Sequence, residues 1–152
     1  MAVTREQILD VLRKAYNMEL ETVANYLANS INLEGVRADF IKQALAADIQ
    51  GELGHATQLG KRIKQLGGLV PGSLGLKMTQ TSLQPREDTT DVVDVIRGVI
   101  EAEEEAINLY RALIKLTEGE DYVTQDLAIT LLADEEDHLQ QFQGYLKEYT
   151  KK

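Results

Sequence analysis

The chain has 152 residues, 16 basic and 25 acidic side chains, a net charge of −9, no cysteine, no tryptophan and two histidines. That length suits one domain, whose folding removes about 68–70% of the unfolded chain's surface from water. The lack of cysteine excludes disulfide scaffolds, zinc ribbons, iron–sulfur clusters and thiol nucleophiles, and the acidic balance speaks against nucleic acid or an anionic membrane as partner.

A first helix is predicted over about 4–32. Thr4, Arg5, Glu6 and Gln7 read as a capping box, in which the Thr4 hydroxyl and the Gln7 side chain satisfy each other's orphan amides. Ile8, Val11, Leu12, Ala15, Tyr16, Val23, Tyr26 and Leu27 follow helical spacing and define an inward stripe. After a break at Leu33-Glu34-Gly35, a second helix is predicted over about 36–66. It carries Phe40, Ile41, Leu45, Ala56, Leu59 and Ile63 inward and stops at Gly67-Gly68. Residues 67–88 hold both prolines and four glycines, and an irregular stretch of that length needs a reason. A third helix follows over about 89–117, with Val92, Val95, Ile96, Val99, Ile107, Tyr110 and Ile114 inward. Glu118-Gly119-Glu120 is a tight turn. The fourth helix, about 122–149, carries Leu127, Leu131, Leu132, Leu139, Phe142 and Leu146.

Helices of this size are about 45 Å long. Two short turns make two antiparallel hairpins, and residues 67–88, at about 3.3 Å per residue, can run the length of the bundle to join them. The expected fold is therefore all-α: an antiparallel four-helix bundle with one long crossover between helices 2 and 3, forming a single domain over 1–152. No alternating runs joined by hairpin turns support a sheet. The N-terminal segment carries charges inside every possible apolar core, so it is not read as a signal peptide, and no run of about 18 apolar residues could span a membrane. A cytoplasmic protein is expected.

Each helix interrupts its own inward stripe near its midpoint with a metal-ligand residue type. These are Glu19 on the first helix, Asp48, Glu52 and His55 on the second, Glu103 on the third, and Glu135 and His138 on the fourth. A buried carboxylate without a partner costs several kcal/mol or turns neutral. No Lys or Arg occupies these mid-helix stripe positions, so bound cations are the economical partners. In Glu52-x-x-His55 and Glu135-x-x-His138 the two side chains sit about 60° apart around the helix and about 4.5 Å along it, close enough to converge on one ion. With fifteen glutamates in 152 residues, a Glu three places before both histidines is about a one-in-a-hundred coincidence. The halves also echo one another. Glu19 is followed by Tyr26 and Glu103 by Tyr110, each seven residues on, while Glu19 precedes Glu52 by 33 residues and Glu103 precedes Glu135 by 32. Two such halves about a pseudo-twofold axis would hold two metals. Asp48, one turn before Glu52, is a candidate relay position. Tyr26 is either a donor to the site or a core tyrosine, and Tyr110 is read as core. Glu101, Glu104, Glu105, Glu136 and Asp137 are read as solvated faces.

These residues carry a resemblance to the ferritin-like di-iron superfamily, within it most like bacterioferritin and its short, Dps-like relatives. The resemblance covers nearly the whole chain. It implies a ferroxidase centre holding two irons per subunit, in which Glu52 and Glu135 bridge both, Glu19 and His55 complete one, and Glu103 and His138 complete the other. The implied activity is iron storage and detoxification, with Fe(II) oxidised by O2 or H2O2. The alternative is a non-storing di-iron or di-manganese peroxidase or catalase of the rubrerythrin type. Rubrerythrins place a further Glu three residues after the third-helix ligand, where this chain has Ala106, with Thr22 equivalent on the first helix. They usually also carry a cysteine-ligated iron. In bacterioferritin a Met after the second-helix Glu holds haem. Leu53 stands there, so haem is not expected. No fifth helix is expected after the fourth, which favours a homo-oligomeric shell of 12 over one of 24. With two arginines (Arg5 and Arg13) and no Lys before Lys14, no DNA binding is expected.

Overall fold

The computed structural model describes residues 2–152 as four long helices: α1 (Arg5–Asn32), α2 (Asp39–Gln65), α3 (Val92–Thr117) and α4 (Tyr122–Tyr149). Among the described residues there is no strand, and the crossover holds only a short 3-10 turn at Ser73–Gly75. Local chemistry sets the helix starts. At α1 the Thr4 hydroxyl accepts from the Gln7 amide (3.2 Å), and the Thr4 amide donates to Gln7 Oε1 (2.8 Å). Asp91 and Asp121 cap α3 and α4, accepting from the amides of Asp94 (3.1 Å) and Thr124 (3.0 Å).

Two starts fall later than the spacing predicts. α2 begins at Asp39 because Gly35, at φ +104°, turns the chain and residues 36–38 close a turn on its carbonyl. α3 begins at Val92 because Asp88 spends its carboxylate on the Thr90 amide and hydroxyl, leaving Asp91 as the cap. Leu27 and Phe40, expected inward, are 50% and 54% exposed. Each is the sequence neighbour of a fully buried residue, Tyr26 or Ile41, and lies to the side of the inward face, which itself continues through Asn29, Leu33 and Ala38. Phe40 packs its ring against Tyr145 instead, 5.1 Å centre to centre.

The buried apolar residues form two clusters. One holds Tyr26, Ile41, Leu45, Val95, Ile96, Val99 and Phe142, and the other Leu9, Leu12, Leu59, Ile63, Tyr110, Leu113 and Leu131. α1 and α4 run from the second cluster to the first, and α2 and α3 run the opposite way. The chain leaving α2 must therefore travel back along the whole bundle to start α3, which is the reason for the crossover. α1 packs chiefly against α2, and α3 against α4.

The crossover is fastened rather than loose. Asn17 exchanges two hydrogen bonds with the Lys77 backbone (2.7 and 2.8 Å), and Glu21 accepts from the Gln80 amide (2.6 Å). Asn25 donates to Gln80 Oε1, and Asn29 donates to the Leu83 carbonyl, both at 2.7 Å. Leu83 is buried with a left-handed backbone (φ +62°) and lies against Gly98. A Cβ at Gly98 would stand 3.1 Å from the Leu83 nitrogen and 3.2 Å from its Cα, against backbone that has little room to yield. Gly98→Ala is therefore expected to lower unfolding free energy by about 1–3 kcal/mol despite the better helix propensity of alanine, as measured by urea denaturation.

Candidate metal centre

Between the two apolar clusters lies a polar layer to which every helix contributes. Glu19 comes from α1, Glu52 and His55 from α2, Glu103 from α3, and Glu135 and His138 from α4. All six sequence-predicted residues meet there, and the four glutamates are each 1% exposed. His55 Nδ1 lies 2.9 Å from Glu135 Oε1, 3.6 Å from Glu19 Oε2 and 3.8 Å from Glu52 Oε2. His138 Nδ1 lies 3.2 Å from Glu52 Oε1 and 3.8 Å from Glu103 Oε1. Each histidine thus faces the Glu-x-x-His glutamate of the opposite hairpin.

Two overlapping sets follow. One ligand atom from each of Glu19, Glu52, His55 and Glu135 lies within 4.8 Å of the other three, and the same holds for Glu52, Glu103, Glu135 and His138. Glu52 and Glu135 belong to both sets. Among the described residues, seven buried side-chain atoms have no hydrogen-bond partner. Six of them are one atom from each of these six residues: Glu19 Oε2, Glu52 Oε1, His55 Nδ1, Glu103 Oε2, Glu135 Oε1 and His138 Nδ1. Buried polar atoms are normally satisfied. Six converging potential ligand atoms without a hydrogen-bond partner suit a pair of divalent cations, and an oxygen and imidazole set without thiolate suits iron or manganese.

The electrostatics agree. Burial, reinforced by Glu19, pushes the Glu52 carboxyl up to about 8. Burial also raises Glu103, and together with Glu103 and Glu19 it holds Glu135 well above the usual carboxylate range. For His55 burial pulls the imidazole down, but Glu19, then Glu52 and Asp134, outweigh it and bring it to about 9. For His138 the neighbouring Glu52 is the chief cause of a rise to about 9. The layer neutralises itself with protons, and a cation must displace them to bind.

The tyrosines cross between the halves. Tyr26 Oη donates to Glu103 Oε1 at 2.7 Å, and Tyr110 Oη donates to Glu19 Oε1 at 2.5 Å. Burial and the adjacent carboxylates keep both phenols protonated. Tyr110, read from sequence as core, is a fully buried core residue and also fixes a carboxylate of the layer. Asp48 is half-buried. Burial raises its carboxyl, and it feels the charges of His138 and Glu52, yet it is not hydrogen-bonded to either. Glu101, Glu104, Glu105, Glu136 and Asp137 are exposed. Sequence reasoning missed Asp134, whose Oδ2 lies 3.0 Å from His55 Nε2. The signal was available in the different residues preceding the two motif glutamates, Gly51 and Asp134.

A four-helix bundle with a full-length crossover and a mid-bundle carboxylate–histidine layer defines a ferritin-like protein. Residues 9–151 match the family model of the ferritin-like domain, and the chain belongs to that family. A curated relative, the DNA protection during starvation protein of Pyrococcus furiosus, is 28% identical over 145 residues, covering 93% of this chain and 77% of the relative. Among solved structures, the bacterioferritin-related protein of Bacteroides fragilis, described as a dodecameric thioferritin, superposes with a TM-score of 0.82 at 25% identity, covering 98% of this chain and 89% of that one. Ferritin-like, diiron-carboxylate proteins of Bacillus anthracis share the fold with a TM-score of 0.83 at 20% identity, over 96% and 99% of the two chains. Rhodobacter capsulatus bacterioferritin shares it at 0.78 and 21%, over 98% and 88%.

Proposed function

We propose that the chain is an iron-storage and detoxification protein whose substrate, Fe(II), is oxidised at the layer formed by Glu19, Glu52, His55, Glu103, Glu135 and His138. The observation that carries this reading is the set of six orphaned, buried ligand atoms arranged as two groups with Glu52 and Glu135 in common. Two Fe(II) ions held side by side give up two electrons together. That suffices to reduce O2 to H2O2, or H2O2 to water, with two protons taken up in either case. The chain's own part is to supply anionic oxygens that favour the ferric product, to hold both imidazoles with Nδ1 inward, and to fix Glu19 and Glu103 through the two tyrosine hydroxyls. Protons displaced from the carboxylates and imidazoles as Fe(II) binds lie close to the reduced oxygen.

The whole chain acts as one domain of a homo-oligomer, with twelve subunits favoured over 24. The dodecameric relative supports that number, and exposed Leu27, Ile31 and Leu53 on α1 and α2 supply apolar surface for subunit contact. Haem has no part in this reading, because Leu53 offers no sulfur ligand. The net charge of −9 argues against direct DNA contact, whatever the name of the archaeal relative implies for that protein. No helix among the described residues is long and apolar enough to cross a membrane, and we assign the protein to the cytoplasm.

The test gives purified protein Fe(II) with O2 or with H2O2, then measures sedimentation mass and iron per chain. A shell retaining many more than two irons per chain is expected. Two or fewer on a small oligomer, with sustained peroxide turnover, would replace storage by the rubrerythrin-type peroxidase reading.

A further inference from the structure

The two halves of the layer are related by exchange of α1 with α3 and α2 with α4. Tyr26–Glu103 answers Tyr110–Glu19, and His55–Glu135 answers His138–Glu52. Among the groups that hydrogen-bond the outer nitrogens of the imidazoles, the relation fails at one pair of positions. Asp134, immediately before Glu135, reaches across to His55 Nε2 at 3.0 Å, and its counterpart, immediately before Glu52, is Gly51. Nothing lies within 4 Å of a Cβ built at Gly51, so packing does not forbid a side chain there. The imidazoles differ accordingly. The His55 side chain is 5% exposed and anchored at its outer nitrogen, and the His138 side chain is 18% exposed with no such anchor. Asp48 is near enough to act on the charge of His138 but forms no hydrogen bond with it.

From this we infer that the two cation positions are unequal. The position at His55 is pre-oriented and fills first, and the position at His138 is the weaker, exchanging one. The difference is set by the Asp134–His55 contact and its missing counterpart at Gly51. The inference rests on the metal-site reading above. An imidazole that donates Nε2–H to a carboxylate presents its Nδ1 lone pair inward in one tautomer and one ring orientation, and it is the more basic ligand for it. Losing such a partner lowers metal affinity about 10–100-fold. The His138 ring must adopt its orientation as the cation arrives, and its greater exposure gives that cation a path to solvent. Asp134 is thus a positioning residue, acting through His55.

The test titrates the assembled, chelator-treated protein with Zn(II), which undergoes no redox change. Calorimetry follows binding, and zinc-edge anomalous diffraction at one equivalent per chain gives the occupancy of each position. Two steps about 10–100-fold apart are expected, with first-equivalent zinc at His55. Gly51→Asp should strengthen the second step alone and close the gap, and Asp134→Asn should weaken the first step alone. Circular dichroism melts check that both variants fold. Equal occupancy at one equivalent, or a folded Gly51→Asp protein whose second step is unmoved, overturns the inequality while leaving the paired site standing. Absence of zinc from the layer altogether overturns both the inequality and the metal-site reading.

Discussion

Glu135→Ala is expected to abolish rapid Fe(II) oxidation, by about 100-fold or more, and Glu52→Ala is expected to match it. Loss of a residue that merely orients a ligand already lowers metal affinity or activity about 10–100-fold. These two glutamates sit in both ligand groups, so either truncation damages both cation positions and the distance between them. Glu19→Ala and Glu103→Ala each touch one group only. They should leave one position able to bind and give a smaller loss with an altered stoichiometry. Stopped-flow absorbance of ferric product, with O2 and separately with H2O2, measures the effect. The variants should fold, since truncation removes a buried carboxylate from among like charges. Unchanged kinetics in folded Glu135→Ala protein would refute the assignment of the site.

The second large effect is on stability and has opposite signs with and without cation. Glu52 is pushed up to about 8 and both histidines to about 9, so the folded layer holds protons that the unfolded chain releases at lower pH. A group whose folded pKa is raised stabilises fully below its unfolded value and loses that contribution as pH rises through its folded value. Chelator-treated protein should therefore melt at progressively lower temperature as pH goes from about 5 to about 9. A bound cation replaces those protons and should reverse the trend. At a hundred times its dissociation constant, one bound cation adds about 2.7 kcal/mol, which for a chain of this size is roughly 5–10 °C in melting temperature. Glu52→Gln should melt higher than the parent under chelator at pH 8 and should lose most of the cation-induced gain. Differential scanning calorimetry with EDTA and with Zn(II) separates the two. A cation-free melting temperature that rises between pH 5 and 9 would contradict the electrostatics of the layer.

What could be read from sequence was local or periodic. The capping box at Thr4, the two Glu-x-x-His motifs and the mid-helix interruptions lie within one element each, and helical spacing brings their parts together before any tertiary contact is known. The late starts of α2 and α3 depend on a left-handed Gly35 and on which of two neighbouring aspartates becomes the cap, choices that apolar periodicity does not register. Leu27 and Phe40 sit beside the fully buried Tyr26 and Ile41, and apolar periodicity does not separate the centre of a stripe from its edge. The Asp134–His55 contact joins residues 79 apart and has no periodic signature. Likewise, Asn17, Glu21, Asn25 and Asn29 have the spacing of a solvated face. Only the path of the crossover turns that row into a binding surface, for backbone at Asn17, Glu21 and Asn29 and for the Gln80 side chain at Asn25.

That row has a consequence for how the chain tolerates change. Its side chains are spaced by helical turns, so their partners at Lys77, Gln80 and Leu83 must arrive at set intervals, and Leu83 must arrive in the one conformation that lays it on Gly98. Irregular connections ordinarily absorb insertions and deletions with little penalty. Residues 77–83 have the metrical constraint of a strand without belonging to a sheet: a single added or deleted residue there would misalign every later rung. The length freedom usual for a long connection is confined to the stretches on either side, toward the glycines after α2 and toward the acidic turn before α3.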